Sequence, residues 1–406
     1  MFFVWRSSVG VLTGLFALIN WVTGVTAHPS SAVVSPTAHV EVAARPVPTT
    51  PVARPRLAVI VPPKVAASAK TVVAKPPAVA KPPAVARPPA VAKPPAVATT
   101  TAAIHRPVLG VYAGPATKGV AGAQVFASFA GSAPGGVLDF AATQDWAGIT
   151  GPNWLLDPRV GSAARLEYSL PMLPDGSQYT LAACASGAYN AQWKATAQSL
   201  VKHGLTTTIV RPGWEFNGTW YHWSAKNDIN GFVGCFRQIV TTMRSVAGQH
   251  FAFDWNPNIG ANAFPAEQAY PGDAYVDYVG VDIYDTSWAH YPSANMTAAR
   301  AAAWNDDLNG NHGLAFWSRF AAAHHKLMAI PEWGVTSLTN GHGGEDDPAF
   351  VDHMFDFMTD PANNVAYDHY FDWTSGAGDH KLTGTTRFPA SAAEYRHHSQ
   401  LVTDAR

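Results

Sequence analysis

The stretch TTTIVRPGWEFNG (residues 206–218) shows the pattern on which the fold of this 406-residue chain is built. A short apolar, β-branched run is followed at once by polar and aromatic residues, among them Glu215. The stretch KLMAIPEWGV (residues 326–335) has the same arrangement around Glu332, 117 residues later. Apolar runs of this kind are typical of buried strands, so both glutamates are expected just after the carboxyl ends of strands.

Further runs of the same type extend the pattern over about 300 residues. The eight predicted strands are Pro107–Tyr112, Gly136–Ala141, Arg165–Met172, Thr206–Pro212, His250–Trp255, Val276–Ile283, His325–Ile330 and Ala366–Asp372. The helical patterns between them are Lys118–Ala130, Ala191–His203, Ile229–Val246, Ala298–Ala303, Leu314–His324 and Pro348–Thr359. This alternation predicts an α/β fold, a (β/α)₈ TIM barrel, over residues 104–406.

In such a barrel the chemistry lies at the carboxyl ends of the strands, where this sequence repeatedly places an acid or an amide beside an aromatic residue. Glu215 and Glu332 would then face one another across one end of the barrel. Cleavage of a glycosidic bond needs two such carboxyl groups, one as proton donor and one as nucleophile or base. The pair therefore predicts a glycosidase, with Glu215 and Glu332 as its catalytic residues.

The residues around both glutamates resemble glycoside hydrolase family 26, the β-mannanase family of a retaining (β/α)₈ clan. RPGWEFNGTWYHW (residues 211–223) is similar to the family's acid/base segment, and IPEWG to its nucleophile segment. The resemblance implies that Glu215 is the acid/base and Glu332 the nucleophile. It also implies that Tyr284 lies beside the nucleophile and that Trp220 and Trp373 frame the sugar.

The strand-end motifs supply further candidates for substrate binding. The full set of predicted substrate-binding residues is Arg211, Trp214, Asn217, Trp220, Trp223, Asn256, Asp282, Tyr284, Trp333 and Trp373. Trp214 stands where the family has a histidine that helps to place the sugar. A β-1,4-mannan-type substrate is thus favoured by resemblance, while β-glucan, xylan or a bacterial exopolysaccharide stay open. A non-catalytic carbohydrate-binding envelope protein is the alternative from another functional class.

The first 103 residues differ in composition from the rest. Residues 1–27 have one charge and an apolar stretch that ends in Val-Thr-Ala, which indicates a signal peptide or an uncleaved membrane anchor. Residues 28–103 hold 16 of the 32 prolines, no glycine and no aromatic residue, and a Lys-Pro-Pro-Ala-Val-Ala hexad repeats four times, once with Arg for Lys. This predicts a disordered Pro/Ala/Lys-rich linker of polyproline II character, either solvated or touching an anionic envelope polymer. The protein is therefore expected to be secreted or to act in the periplasm or cell envelope, with a membrane tether if the leader stays in place.

The charge balance of residues 104–406 excludes one class of partner. This part carries 17 Lys plus Arg against 27 Asp plus Glu, so no basic surface for nucleic acid is expected. We expect a monomer that acts on a polysaccharide, with no cofactor and no metal ion. The two cysteines, Cys184 and Cys235, either form a disulfide or stay as buried thiols.

Three smaller motifs have two interpretations each. The acids of HGGEDD (residues 342–347) either bind calcium or lie in a solvated turn. His380 either reaches the cleft or is structural. Asn217-Gly-Thr matches a glycosylation acceptor, although a glycan there would block the predicted site.

Overall fold

The computed structural model describes residues 106–260, 262–376 and 378–404. The predicted leader (residues 1–27) and the predicted linker (residues 28–103) lie outside the described residues. Within the described ranges, no helix has the length and apolar character needed to span a membrane.

Eight parallel strands form a closed ring, which confirms the predicted (β/α)₈ TIM barrel. They are β1 Gly110–Tyr112, β2 Gly136–Phe140, β3 Arg165–Leu170, β4 Ile209–Pro212, β5 Ala252–Trp255, β6 Tyr278–Gly280, β8 Leu327–Gly334 and β9 Val365–Phe371. Neighbours in the chain pair in order, β6 pairs with β8, and β9 closes the ring on β1. The two-residue strand β7 (Ile283–Tyr284) follows β6 and pairs farther along β8. All eight predicted strands are present, with shifted ends.

The helices surround this ring. They are α1 Ala116–Ala130, α2 Trp146–Ile149, α3 Asn153–Leu156, α4 Leu181–Ala185, α5 Asn190–Lys202, α6 Ile229–Arg244, α7 Met296–Asn309, α8 Leu314–Ala323, α9 Pro348–Thr359 and α10 Pro389–Asp404. All six predicted helices occur, and α7 is longer at both ends than the predicted Ala298–Ala303. The sequence pattern missed α10 and the short helices α2, α3 and α4. A small hairpin, β10 Thr374–Ser375 and β11 Gly378–Asp379, follows β9.

Helix α6 shows why these segments pack as they do. Its buried apolar residues recur at helical spacing, so one stripe faces the barrel: Phe232, Cys235, Phe236, Ile239, Val240 and Met243. Asp228 begins the helix by accepting a hydrogen bond from the backbone N–H of Gly231. Cys235 in this stripe forms a disulfide with Cys184 of α4, which decides between the two interpretations of the cysteines. This disulfide joins α4 to α6, the helix that follows β4 in the chain, and β4 contains Arg211.

Candidate active site

The backbone after β4 turns sharply and places Glu215 at the mouth of the barrel. Gly213 and Glu215 both have left-handed backbone, with φ of 61° and 51°. For glutamate this conformation costs about 1–3 kcal/mol, so the surroundings must hold it. One such restraint is the hydrogen bond that the Glu215 N–H donates to the carbonyl of Asn256, at 2.8 Å. Strained backbone of this kind is common at functional sites.

Glu332 has a different backbone setting. The predicted strand ended at Ile330 with Glu332 beyond it, but β8 continues to Gly334, so Glu332 lies within the strand. The extra residues pair with β7 and β9, two partners that a single-strand pattern does not show. The Glu332 side chain is 4% exposed and points into the barrel.

Two groups donate hydrogen bonds to the Glu332 carboxylate. Nη2 of Arg211 lies 2.5 Å from Oε1, and the hydroxyl of Tyr284 lies 2.8 Å from Oε2. Hydrogen bonds from a charged donor such as Arg211 are shorter and stronger than neutral ones, so the Glu332 carboxyl group is held firmly in place. Tyr284 is therefore beside Glu332, in the position that the resemblance implies.

Arg211 is fully buried at the centre of a hydrogen-bond network. Its guanidinium also donates to Oδ1 and Oδ2 of Asp282, both at 3.1 Å, to Oδ1 of Asn256 at 2.9 Å and to the Ser169 hydroxyl at 2.7 Å. Burial alone would lower the pKa of Arg211, but the nearby carboxylates, led by Asp282, raise it well above its ordinary value. The guanidinium thus stays charged next to Glu332.

Among the residues that the structure describes, the side-chain donors to the Glu215 carboxyl group are neutral. Nδ2 of Asn258 lies 2.7 Å from Oε1, and Nε1 of Trp220 lies 2.8 Å from Oε2. Burial and the negative charge of Glu332 raise the pKa of Glu215 to about 7, against the lowering effect of these two bonds. The two glutamates therefore differ: one is paired with a cation, and the other holds a proton near neutral pH.

Several predicted substrate-binding residues are buried and support the glutamates instead. Asn217 exchanges hydrogen bonds with the backbone of Asn258, so it orients a donor to Glu215. Asn256 and Asp282 bond to each other and to Arg211. All three, with Arg211, are 0% exposed, so the structure contradicts direct contact with a substrate. The buried Asn217 amide also contradicts glycosylation at this position.

Three tryptophans were also wrongly predicted to contact the substrate. Trp214 and Trp223 are each 1% exposed and pack in an aromatic cluster with Tyr221, in which Trp223 stacks on Tyr221 and Trp214 meets Tyr221 edge-on. Trp333 is fully buried on the outer face of the strand ring, between the strands and the helices, where its indole N–H donates to Asp368. Side chains alternate along a strand, so the residue after the inward Glu332 must face the helices.

Trp220, Tyr284 and Trp373 keep partly exposed side chains at the mouth of the barrel. Trp373 lies against Gly114, where a Cβ would come within 2.6 Å of the indole. His380 packs on Tyr284 with ring centroids 4.7 Å apart, and burial lowers its pKa to about 4. A neutral histidine of 4% exposure supports Tyr284 and does not reach the cleft.

Asn258 is the main functional residue that sequence reasoning missed. It follows β5 in the run Asp-Trp-Asn-Pro-Asn, of which only Asn256 was predicted for the site. The signal was its place at a strand end, two residues beyond Asn256.

The acids of residues 342–347 already accept hydrogen bonds from other parts of the protein, which does not support the interpretation that they bind calcium. Glu345 accepts from Ser337, Asp346 from the first turn of α10, and Asp347 from the first turn of α9. Among the described residues, the groups of acids and histidines close enough to hold a metal ion lie on α9 and α10 and do not include this run.

Comparison with known proteins gives a family match. Residues 166–308 match the family model described as glycosyl hydrolase family 26. The chain is 25% identical over 206 residues to a mannan endo-1,4-beta-mannosidase of Bifidobacterium adolescentis, covering 48% of this chain and 20% of that protein. It is 30% identical over 136 residues to endoglucanase H of Acetivibrio thermocellus, covering 30% of this chain and 15% of that protein. The chain thus spans a fifth or less of the length of these relatives.

Solved structures agree on the fold. The catalytic domain of a Bacillus sp. JAMB-750 endo-beta-1,4-mannanase has a TM-score of 0.51 at 17% identity and covers 73% of this chain and 86% of that one. GH26C of a Muricauda species has the same TM-score, identity and coverage. At this identity the likeness shows the fold alone. The family match confirms the resemblance seen in the sequence over residues 166–308.

Proposed function

We propose that this chain, a relative of glycosyl hydrolase family 26, is a secreted retaining endo-β-glycosidase that hydrolyses a β-1,4-mannan-type polysaccharide. The observation that carries the proposal is the different environment of the two glutamates at one end of the barrel. Glu332 bonds to a buried arginine, while burial and a like charge raise the pKa of Glu215 to about 7. A glycosidase of this type needs one carboxyl group that can donate a proton and a second that acts as nucleophile or base.

In the first step, the Glu332 carboxylate attacks the anomeric carbon and the glycosidic C–O bond breaks. Glu215 gives its proton to the departing oxygen, which leaves as a hydroxyl group of the shortened chain. In the second step, Glu215 as carboxylate takes a proton from water, whose oxygen attacks the anomeric carbon and releases Glu332. Two displacements at one carbon restore the original configuration, and this route needs carboxyl groups about 5–5.5 Å apart.

The neighbouring residues have distinct roles in this scheme. Arg211 and Tyr284 hold the Glu332 carboxyl group in position before attack. Asn258 and Trp220 direct the Glu215 carboxyl, and because they are neutral they leave its pKa high enough for proton donation. In this scheme Trp220 and Trp373, whose side chains are partly exposed, frame the sugar at the point of cleavage.

Glutamine substitutions test the assignment. Glu215→Gln and Glu332→Gln are each expected to abolish the release of reducing ends from polysaccharide without unfolding the protein, as checked by circular dichroism. Glu345→Gln is the matched control, since this glutamate lies in the loop after β8 and bonds to Ser337. Hydrolysis at the wild-type rate by either active-site variant would remove that residue from the mechanism.

Azide rescue separates the two roles. In Glu215→Ala, an aryl glycoside with a good leaving group still forms the glycosyl–enzyme, and azide then gives a glycosyl azide of the substrate's configuration. In Glu332→Ala, azide attacks in place of the missing nucleophile and gives the inverted azide. The opposite pair of products, read by NMR, would exchange the two assignments.

The substrate is identified by assaying the full chain on mannan, β-glucan, xylan and bacterial exopolysaccharide and measuring new reducing ends. Mannan is favoured by the B. adolescentis relative, and β-glucan is the second candidate because of the relative named endoglucanase H. Trp214 in place of the family histidine keeps this choice open. Binding without new reducing ends on all four polymers would favour the non-catalytic alternative. Secretion is tested by N-terminal sequencing of the exported protein, which would begin at His28 if the leader is cut after Ala27.

A further inference from the structure

Trp288 is a large apolar side chain that the fold leaves in solvent. It is 68% exposed, while the other exposed tryptophan of the described residues, Trp154, is 47% exposed. Single exposed apolar residues are common on protein surfaces. The position of Trp288 and the support beneath its ring set it apart.

The ring of Trp288 is held flat against the imidazole of His342. The ring centroids are 5.4 Å apart and the planes differ by 13°. The adjacent backbone fixes this pair: the N–H of Ser287 donates to the carbonyl of His342 at 3.0 Å, and Thr286 pairs with Gly343 in an antiparallel bridge. The imidazole therefore covers part of one face of the indole in an offset stack, and the high exposure leaves the other face open. A rigid aromatic surface binds a ligand at a low cost in conformational entropy.

The two loops that meet here both begin at the carboxyl ends of barrel strands. Trp288 lies four residues after Tyr284, whose hydroxyl contacts Glu332, so the two Cα atoms are at most about 14 Å apart. His342 lies in the loop after β8, and Ser337 of that loop pairs with Asp379 of the β10–β11 hairpin. The Trp288–His342 pair is thus on the same rim as the candidate active site, within a few sugar units of the cleaved bond.

We infer that Trp288 forms a distal sugar subsite, where its open face stacks on a pyranose unit of the polysaccharide chain that is cleaved at Glu215 and Glu332. The C–H groups on one face of a pyranose carry a small positive charge and meet the negative face of an indole. This inference rests on the proposed function and deepens it, because a platform several units from the cleaved bond favours long chains.

Chain-length dependence tests the subsite. Full-length Trp288→Ala is compared with wild type on β-1,4-linked oligomers of two to six mannose units, or on the equivalent series of whichever polymer the wild type cleaves. We expect kcat/KM to fall about tenfold on the longest oligomer and much less on the shortest one cleaved, as for loss of one stacked aromatic anchor. Trp288→Tyr should restore most of the loss. Trp154→Ala, an exposed tryptophan on α3, should match wild type at every length.

A binding experiment keeps this inference separate from the proposed function. Calorimetry of the hexamer and dimer is carried out on Glu332→Gln with and without Trp288→Ala. A loss of affinity for the hexamer alone supports the subsite even if the wild type cleaves nothing, in which case only the proposed function fails. Equal losses at all lengths, or no loss at any length, would overturn the inference.

Discussion

The indole N–H of Trp220 donates to Oε2 of Glu215 over 2.8 Å, and this bond favours the ionised carboxylate. Trp220→Phe removes the donor and keeps an aromatic ring at the mouth of the barrel. A hydrogen bond to a charged group is worth about 1.5–3 kcal/mol, and water can replace part of it. We therefore expect the pKa of Glu215 to rise by about one unit, which corresponds to about 1.4 kcal/mol.

Glu215 must be protonated for the first step, so its pKa sets the alkaline limb of the kcat/KM profile. With a wild-type pKa of about 7, roughly one molecule in ten is protonated at pH 8. With a pKa of about 8 in the variant, roughly half are protonated. Relative to its own acidic plateau, Trp220→Phe should then retain about fivefold more kcat/KM at pH 8 than wild type does.

The assay is the initial rate on the cleaved polysaccharide from pH 5 to 9, with each profile scaled to its plateau. Scaling removes any loss of sugar contact that is the same at every pH. Trp223→Phe is the control, because that indole donates to the carbonyl of Trp214 and not to Glu215. An alkaline limb that stays in place or moves to lower pH in Trp220→Phe would refute the reasoning.

Two further predictions concern stability. The disulfide spans a sequence separation of 51 residues, so Cys184→Ala with Cys235→Ala should lower the free energy of unfolding by about 4 kcal/mol, measured by urea denaturation against the oxidised wild type. Burial and the charge of Asp347 raise the pKa of Asp285 to about 7, so its contribution to stability is fully present below about pH 4 and is lost as the pH rises through 7. Asp285→Asn removes this titration. The free energy of unfolding of the variant, relative to that of wild type, should therefore be higher at pH 8 than at pH 5. An equal difference at both pH values would contradict the assignment.

Strand periodicity and strand-end polarity were enough to predict the barrel and the turn position of Glu215, whereas Glu332 was predicted beyond a strand and lies within β8. A parallel barrel places all strand ends on one rim, so residues 117 positions apart needed no contact information to be paired. The direction of each side chain was harder to predict. Trp333 adjoins Glu332 in sequence but faces the helices, because the strand continues through both residues.

The same limit explains the other errors. Arg211, Asn217, Asn256 and Asp282 have polar groups that could hold a sugar. The sequence does not show that Arg211, Asn256 and Asp282 bond to one another, or that Asn217 bonds to the backbone of Asn258. Asn258 was missed because its role also depends on the fold. Asn217 bonds to the backbone of Asn258, and the side-chain amide of Asn258 then donates to Glu215. Burial and partner choice depend on tertiary packing, which no local pattern encodes.

Charge balance around Arg211 explains why the two glutamates differ. The guanidinium contacts both Asp282 and Glu332, so one positive charge lies among more than one buried acid. Burial and the charge of Glu332 raise the pKa of Asp282 well above its ordinary value, against the lowering effect of Arg211. Arg211 donates a hydrogen bond to Glu332, while Glu215 accepts hydrogen bonds from the neutral Asn258 and Trp220, and burial and the charge of Glu332 raise its pKa to about 7. Trp214 fits this arrangement, because its ring packs near the Arg211 guanidinium at 5.7 Å and brings no further charge to the site.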